Sequence, residues 1–256
     1  FTASLSPIID FYRNGRTTID NVYTNADLFF REATYPTQGL RQILTEVFLR
    51  LKGDMTVPAT HRLETAFGGG KTHALIACTH LAFRGKELKD AVAGIVDPDI
   101  LPEPGTVAVV GIAGDEIPVH KPKGSKLIPY TLWGEIAYQI GGETLYREVE
   151  EDAVSYAAPG KPYFDKVFGG RKVLIMLDEL AQYAARLEAA RPDGAGQLAA
   201  FLMTLHGFAR NHPGIAVVMT LASAADAFSR QTKQLAQLIS KVRGETVSED
   251  DALIIG

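Results

Sequence analysis

Apolar residues follow one another without interruption in several short segments of this 256-residue chain. Such runs predict strands of a sheet that is covered on both faces. The predicted strands are Lys172–Glu179, which carries five apolar residues before two acids, residues 104–114, and Ile215–Leu221. A shorter strand is predicted at His61–Phe67, directly before a glycine-rich turn.

In other segments, apolar residues recur every three or four positions, which is the spacing of one helix face. The predicted helices are Pro36–Leu51, Thr72–Phe83, Tyr130–Gly142, Gln197–Asn211 and Ala224–Val242. We expect the second to close at Gly85 and the third at its glycine pair, because glycine readily adopts helix-ending conformations. Residues 118–129 are predicted to be a loop. Glycines at the end of strand 104–114 would let the backbone approach a ligand or a neighbouring loop.

The glycine-rich turn is the most informative stretch for function, because glycines before a helix can direct backbone N–H groups at phosphates. Lys71 is predicted to reach the β- and γ-phosphates, and the Thr72 hydroxyl to bind Mg²⁺. His73 could instead lie on the helix surface. The usual pattern has glycine at position 65, where this chain has Thr65, and we expect the three adjacent glycines to accommodate the turn. The predicted nucleotide-binding residues are Ala66, Phe67, Gly68, Gly69, Gly70, Lys71, Thr72 and His73.

The two acids that end the strand Lys172–Glu179 form the second functional pattern. A buried parallel strand presents its last residues at the edge of the sheet where ligands bind. Asp178 is therefore predicted to hold Mg²⁺, and Glu179 to polarise the attacking water in nucleotide hydrolysis. Solvated acids at a strand end are the alternative interpretation.

Alternating strands and helices predict an α/β fold with a parallel sheet and right-handed crossovers. With the two patterns above, we expect a three-layer P-loop NTPase core of AAA+ type at residues 58–245. Residues 1–57 are expected to be an N-terminal helical extension packing on this core. Residues 246–256 are expected to begin a further C-terminal region, since the chain starts at Phe1 and ends in an apolar run.

Two further groups are candidates for contact with the γ-phosphate. Thr220 lies near the end of the predicted strand Ile215–Leu221, with Ser223 as a substitute, and we list Thr220 with Glu179 and Lys71 as the catalytic residues. A threonine satisfied within the sheet is the alternative. Arg230 or Arg243 could reach a neighbouring subunit's phosphates, although arginine is ordinarily exposed to solvent.

Composition favours a soluble enzyme core, with 46% hydrophobic and 22% charged residues. A net charge of −4 does not support a nucleic-acid surface. Cys78, expected in the core, is the only cysteine, which suggests a reducing, cytoplasmic compartment. The six histidines do not have the spacing of metal ligands. Trp133 is expected to pack in the core. The lysine-containing loop at residues 118–129 is expected to be exposed to solvent. We expect no membrane association, since apolar stretches are too short.

Three stretches resemble the large bacterial and archaeal AAA+-like proteins that carry the domain of unknown function 499. They are Ala66–His73, Thr131–Gln139 with the following glycine pair, and Leu177–Glu179. The similarity covers roughly residues 25 to 225, and this family tolerates threonine at the position of Thr65. The resemblance implies ATP binding and hydrolysis, a longer chain, and association with DNA-modification or anti-phage gene clusters. The lid domain and sensor arginine expected of AAA+ proteins do not appear in this sequence.

These observations predict an Mg²⁺-dependent ATPase module that drives conformational change in a larger assembly. ATP, ADP and Mg²⁺ are the expected ligands. Protein partners are expected, and the sequence leaves open whether the chain forms a homo-oligomer. Two alternatives are a nucleic-acid translocase or helicase, which the net charge does not support, and a binding module gated by ATP without turnover.

Overall fold

The computed structural model describes residues 4–15, 21–64 and 70–221. Within these residues, four strands form a parallel sheet: β1 (Thr60–Glu64), β2 (Ala108–Ala113), β3 (Val173–Asp178) and β4 (Ile215–Leu221). Their order across the sheet is β1-β4-β3-β2, so that β4 lies between β1 and β3. The predicted α/β fold with a parallel sheet is confirmed.

Helices cover both faces of the sheet, because successive strand side chains point to opposite faces and those of β3 and β4 are buried throughout. Leu174 and Met176 of β3 pack in one cluster, and Val173, Ile175 and Leu177 in the other. The first face is covered by α1 (Leu5–Asn14), α2 (Asn21–Thr24), α3 (Ala26–Leu28), α4 (Gln38–Lys52) and α5 (Lys71–Arg84). The second face is covered by α6 (Leu132–Glu148), α7 (Glu150–Ala153), α8 (Lys161–Phe168), α9 (Leu180–Ala190) and α10 (Gly194–Asn211).

Most predicted elements are confirmed, with shifted ends. The strand Ile215–Leu221 is found with its predicted bounds, and α5 ends before Gly85 as expected. The helix predicted to stop at Gly142 instead continues to Glu148 after a kink at the glycine pair, because Leu145 and Tyr146 bury their side chains in the core. Sequence reasoning missed α9. The predicted helix 224–242 and residues 246–256 lie outside the described residues.

Three short helical segments of the described chain are not α-helical. A π-helix spans Phe29–Ala33 directly after α3, and 3₁₀ turns span Gly85–Leu88 and Pro98–Ile100. The predicted loop at 118–129 contains neither helix nor strand. No described helix combines the length and apolar character needed to cross a membrane.

Arg50 of α4, a residue that is only 1% exposed, connects the two helical layers. Its guanidinium donates hydrogen bonds to the carbonyls of Ala209 (2.7 Å), Arg210 (3.1 Å) and His212 (3.2 Å). The last carbonyls of a helix lack partners within the helix. Arg50 therefore caps α10 while it fixes α4 to the opposite layer.

Candidate functional site

The candidate site lies at the carboxyl ends of the four described strands, which lie side by side in the parallel sheet. Register pairs Leu63 of β1 with Thr220 of β4, and Ala113 of β2 with Asp178 of β3. The N-terminus of α5 lies at the same strand ends, since the Thr72 hydroxyl donates to Asp178 Oδ2 at 3.2 Å. The fold thus brings together residues that lie about a hundred positions apart in sequence.

Asp178 is the centre of the polar network, and only 6% of its surface is exposed. Besides the Thr72 contact, its Oδ1 accepts a hydrogen bond from the Thr220 hydroxyl at 2.5 Å. Burial raises the pKa of Asp178, while hydrogen bonds from Thr220 and Thr72 and the nearby charge of Lys71 act in the opposite direction. A cation bound here would favour the ionised carboxylate.

Glu179 occupies a strained backbone position. Within the described residues it is the one non-glycine residue with positive φ, at 53°. Its N–H is held by Asp178 Oδ1 at 3.1 Å and Thr220 Oγ1 at 3.0 Å. Its exposed carboxylate contacts the side-chain amide of Gln182. Such a conformation costs about 1–3 kcal/mol and persists where surrounding contacts fix it, as is common at functional sites.

Gly114, directly after β2, makes room for the turn at Asp178 and Glu179. A Cβ at this position would lie 2.4 Å from the Glu179 carbonyl oxygen. The Gly114 N–H donates to the Asp178 carbonyl at 2.8 Å. Arg186 of α9 then holds the Gly114 and Asp115 carbonyls at 2.9 and 2.8 Å. The close backbone approach predicted for this glycine is therefore to a neighbouring loop.

The described part of the predicted phosphate turn begins at Gly70, whose φ of 77° lies in the left-handed region. Gly70 precedes the first turn of α5, which contains Lys71, Thr72 and His73. The first N–H groups of a helix lack partners within it and attract anions. The other predicted turn residues, Ala66, Phe67, Gly68 and Gly69, lie outside the described residues.

His73 does not extend freely from the helix surface. Its Nε2 lies 2.9 Å from the Thr34 hydroxyl, and its ring stacks on Phe29 with centroids 4.4 Å apart. Burial lowers the pKa of His73. The imidazole therefore connects the first turn of α5 to the N-terminal region.

The Thr220 hydroxyl is used within the turn at Asp178 and Glu179: it donates to Asp178 and accepts from Glu179 N–H. This geometry assigns it to holding the acidic turn, and contact with a phosphate stays a prediction. Ser223, Arg230 and Arg243 lie outside the described residues. Sequence reasoning missed Gln182 and Arg186, because helix α9 was not predicted; the spacing of Gln182 three positions after Glu179 was the available signal.

Comparison with known proteins matches residues 6–244 to the family model described as the DUF499 N-terminal domain. The chain belongs to the DUF499 family. No curated protein and no solved structure matches it.

In this DUF499 domain, the stretch Thr131–Gln139 has a structural role. Thr131 caps α6 by accepting the Gly134 N–H at 2.9 Å, and Trp133 Nε1 donates to the Asp152 carbonyl at 2.9 Å. The Gln139 amide exchanges two hydrogen bonds with the backbone of Gly111, at 2.9 and 3.0 Å. Gln139 thereby satisfies a backbone position of β2 on the side away from β3, as a neighbouring strand would.

In the DUF499 domain, the side chains at the carboxyl ends of the strands have the chemistry that Mg²⁺ requires. One carboxylate and two hydroxyls converge there, and Mg²⁺ prefers oxygen ligands, binds through one or two carboxylates and keeps several waters. Within the described residues, no three His, Cys, Asp or Glu side chains come together as a metal site, at Asp178 or elsewhere.

Proposed function

We propose that this DUF499 domain is a P-loop ATPase module of AAA+ type that binds and hydrolyses Mg²⁺-ATP. The observation that carries the proposal is the hydrogen bond between Thr72 and Asp178, because it joins the helix after the glycine-rich turn to the acidic strand end. The strand order supports it. An additional strand, β4, separates β1 from β3, as in the P-loop class whose hydrolytic glutamate directly follows the Mg²⁺ aspartate.

The proposed roles follow from the positions of the side chains. Thr72 and Asp178 would hold Mg²⁺, which neutralises phosphate charge when bound. Lys71, in the first turn of α5, binds the phosphates together with the helix N-terminus. Glu179 is exposed to water and held in its strained backbone conformation, so that its carboxylate can accept a proton from the attacking water.

We propose further that the module acts in a larger cytoplasmic assembly with protein partners, in the defence-related setting that the family resemblance implies. A nucleic-acid motor and an ATP-gated module without turnover are the alternatives. The net charge of −4 disfavours the motor, and the presence of Glu179 disfavours the module without turnover.

Phosphate release from ATP by wild type, Glu179→Gln and Lys71→Ala tests the proposal, with and without DNA. We expect Glu179→Gln to lose about 10²–10⁴-fold in turnover while keeping ATP binding, because a general base contributes that much. Lys71→Ala should lose both turnover and binding. Glu148→Gln and Lys172→Ala, at exposed positions outside the site, serve as matched controls with unchanged turnover.

Three other outcomes distinguish the alternatives. Stimulation by DNA would favour the nucleic-acid motor. ATP binding by the wild type without turnover under any condition would favour the gated module. Turnover that survives in Glu179→Gln would remove this residue from the mechanism.

A further inference from the structure

His73 contacts Thr34 and Phe29 of the N-terminal region. In the contact with Thr34, the other hydrogen bond of the hydroxyl determines which atom is the donor. The Thr34 hydroxyl donates its one hydrogen to the Phe29 carbonyl at 2.7 Å. It must therefore accept at its 2.9 Å contact with His73, so that His73 Nε2 carries a hydrogen. The stacked Phe29 ring, inclined by 24°, holds the imidazole from a second direction.

These contacts act on the residue next to Thr72. The first turn of a helix is fixed less firmly than its interior, because its N–H groups lack partners within the helix. The contact of the Thr72 hydroxyl with Asp178 spans 3.2 Å, which is longer than the usual distance between hydroxyl and carboxylate oxygens. The Thr72 hydroxyl is thus weakly held, and its place depends on the position of the first turn of α5.

We propose that His73 is a positioning residue: its contacts with Thr34 and Phe29 hold the first turn of α5 so that the Thr72 hydroxyl points at the metal position beside Asp178. The inference rests on the proposed function. It adds a role for the segment Phe29–Thr34, which contains the π-helix. Short π-helical segments are frequent at functional sites. Metal binding and the conformation of this segment are thereby coupled.

The test measures nucleotide binding by calorimetry as a function of Mg²⁺ concentration. His73→Ala should raise the Mg²⁺ concentration for half-maximal ATP binding about tenfold, the usual effect of losing a group that orients a metal ligand. ATP binding in EDTA is measured in parallel, and a loss there as large as the loss in Mg²⁺ would mean that His73 contacts the nucleotide itself and would overturn the inference. His73→Gln should restore most of the Mg²⁺ response, since its amide can donate to Thr34 from a similar position.

Thr34→Val removes the same hydrogen bond from the other side. It should raise the Mg²⁺ requirement in the same direction, and it decides the question if His73→Ala does not fold. In the double variant the two effects should not add, because both act through one interaction.

His80 provides the matched control. It lies on the same helix and also contacts Phe29, with ring centroids 4.9 Å apart, but two turns further from Thr72. His80→Gln should lower stability and leave the Mg²⁺ requirement unchanged. An equal shift in His80→Gln, or an unchanged requirement in both His73→Ala and Thr34→Val, would overturn the inference and leave the proposed function intact. A wild type that binds no ATP would overturn the proposed function itself.

Discussion

At the scale of single residues, the candidate site depends on a backbone turn as much as on its side chains. The Asp178 carboxylate and the Thr220 hydroxyl both accept a hydrogen bond from Glu179 N–H, and the Thr220 hydroxyl in turn donates to Asp178. These bonds fix Glu179 in its left-handed conformation. Thr220 therefore positions Glu179 by accepting a hydrogen bond from the backbone N–H of Glu179. Gly114 completes this arrangement, because it is the position at which the neighbouring strand passes the turn without a side chain.

Gly114→Ala should reduce ATP turnover about a hundredfold, the effect expected when a catalytic group is displaced by about 1 Å. The added Cβ would lie 2.4 Å from the Glu179 carbonyl oxygen, so the turn must move. Phosphate release and ATP binding are measured together, and binding through Lys71 should persist. Gly207→Ala in α10 is the control, since a Cβ there meets no atom within 4 Å. Equal turnover in the two variants would contradict the proposed importance of this turn.

At the scale of elements, α5 joins the proposed phosphate site to the N-terminal region. His80 of α5 donates from Nε2 to the Tyr23 carbonyl at 3.1 Å, and its Nδ1 lies 2.6 Å from the Tyr12 hydroxyl. In the neutral imidazole, Nδ1 accepts a hydrogen bond from this hydroxyl. Burial, the main cause, and the charges of Arg84 and His73 lower the pKa of His80 to about 4.

The stability of the domain should fall as the pH decreases from about 6.5 to about 4. Over this range the unfolded state binds a proton at His80 and the folded state does not, so the folded state loses up to about 3 kcal/mol. Urea unfolding of wild type and His80→Gln across this range measures the difference. We expect a shallower pH dependence in His80→Gln, whereas His120→Gln, at an exposed position, should follow wild type. Parallel profiles for wild type and His80→Gln would refute the assignment.

At the scale of the whole molecule, the N-terminal region supplies part of the core on the face of the sheet that α5 covers. Twelve of the 33 buried residues described in the cluster on the α5 side come from residues 5–51. All but Ala26 have large apolar side chains, each contributing about 1.5–3 kcal/mol when buried. The N-terminal helices therefore pack as a structural part of this layer.

Deletion of residues 1–57 should abolish cooperative folding, because it exposes the face of the sheet that α1 and α4 cover. Near-UV circular dichroism and urea unfolding of the remaining chain measure this outcome. A variant that keeps residues 1–57 and carries alanine at the exposed positions Arg31, Glu32 and Gln38 is the control and should fold normally. Cooperative unfolding of the truncated chain would instead mean that residues 1–57 form a separable unit.

The sequence by itself determined the elements whose local pattern is strong. The continuous apolar run before Asp178 predicted a strand buried on both faces, and the glycine-rich turn predicted where α5 begins. Helix α9 was missed because it begins directly after Glu179, where the strand and its acids governed the interpretation. The helix after Gly142 was missed because glycine pairs usually end helices, and here the burial of Leu145 and Tyr146 outweighs that preference.

Only the tertiary structure decided which distant residues meet. The strand order brings Thr220 beside Asp178, and helix packing brings Thr34 to His73, because contacts between elements depend on topology and register. The left-handed conformation of Glu179 likewise has no local sequence signal, since its N–H donates a hydrogen bond to Thr220 of the neighbouring strand β4. The sequence determined the chemical groups and their elements, and the packing of the sheet decided how those groups hold one another.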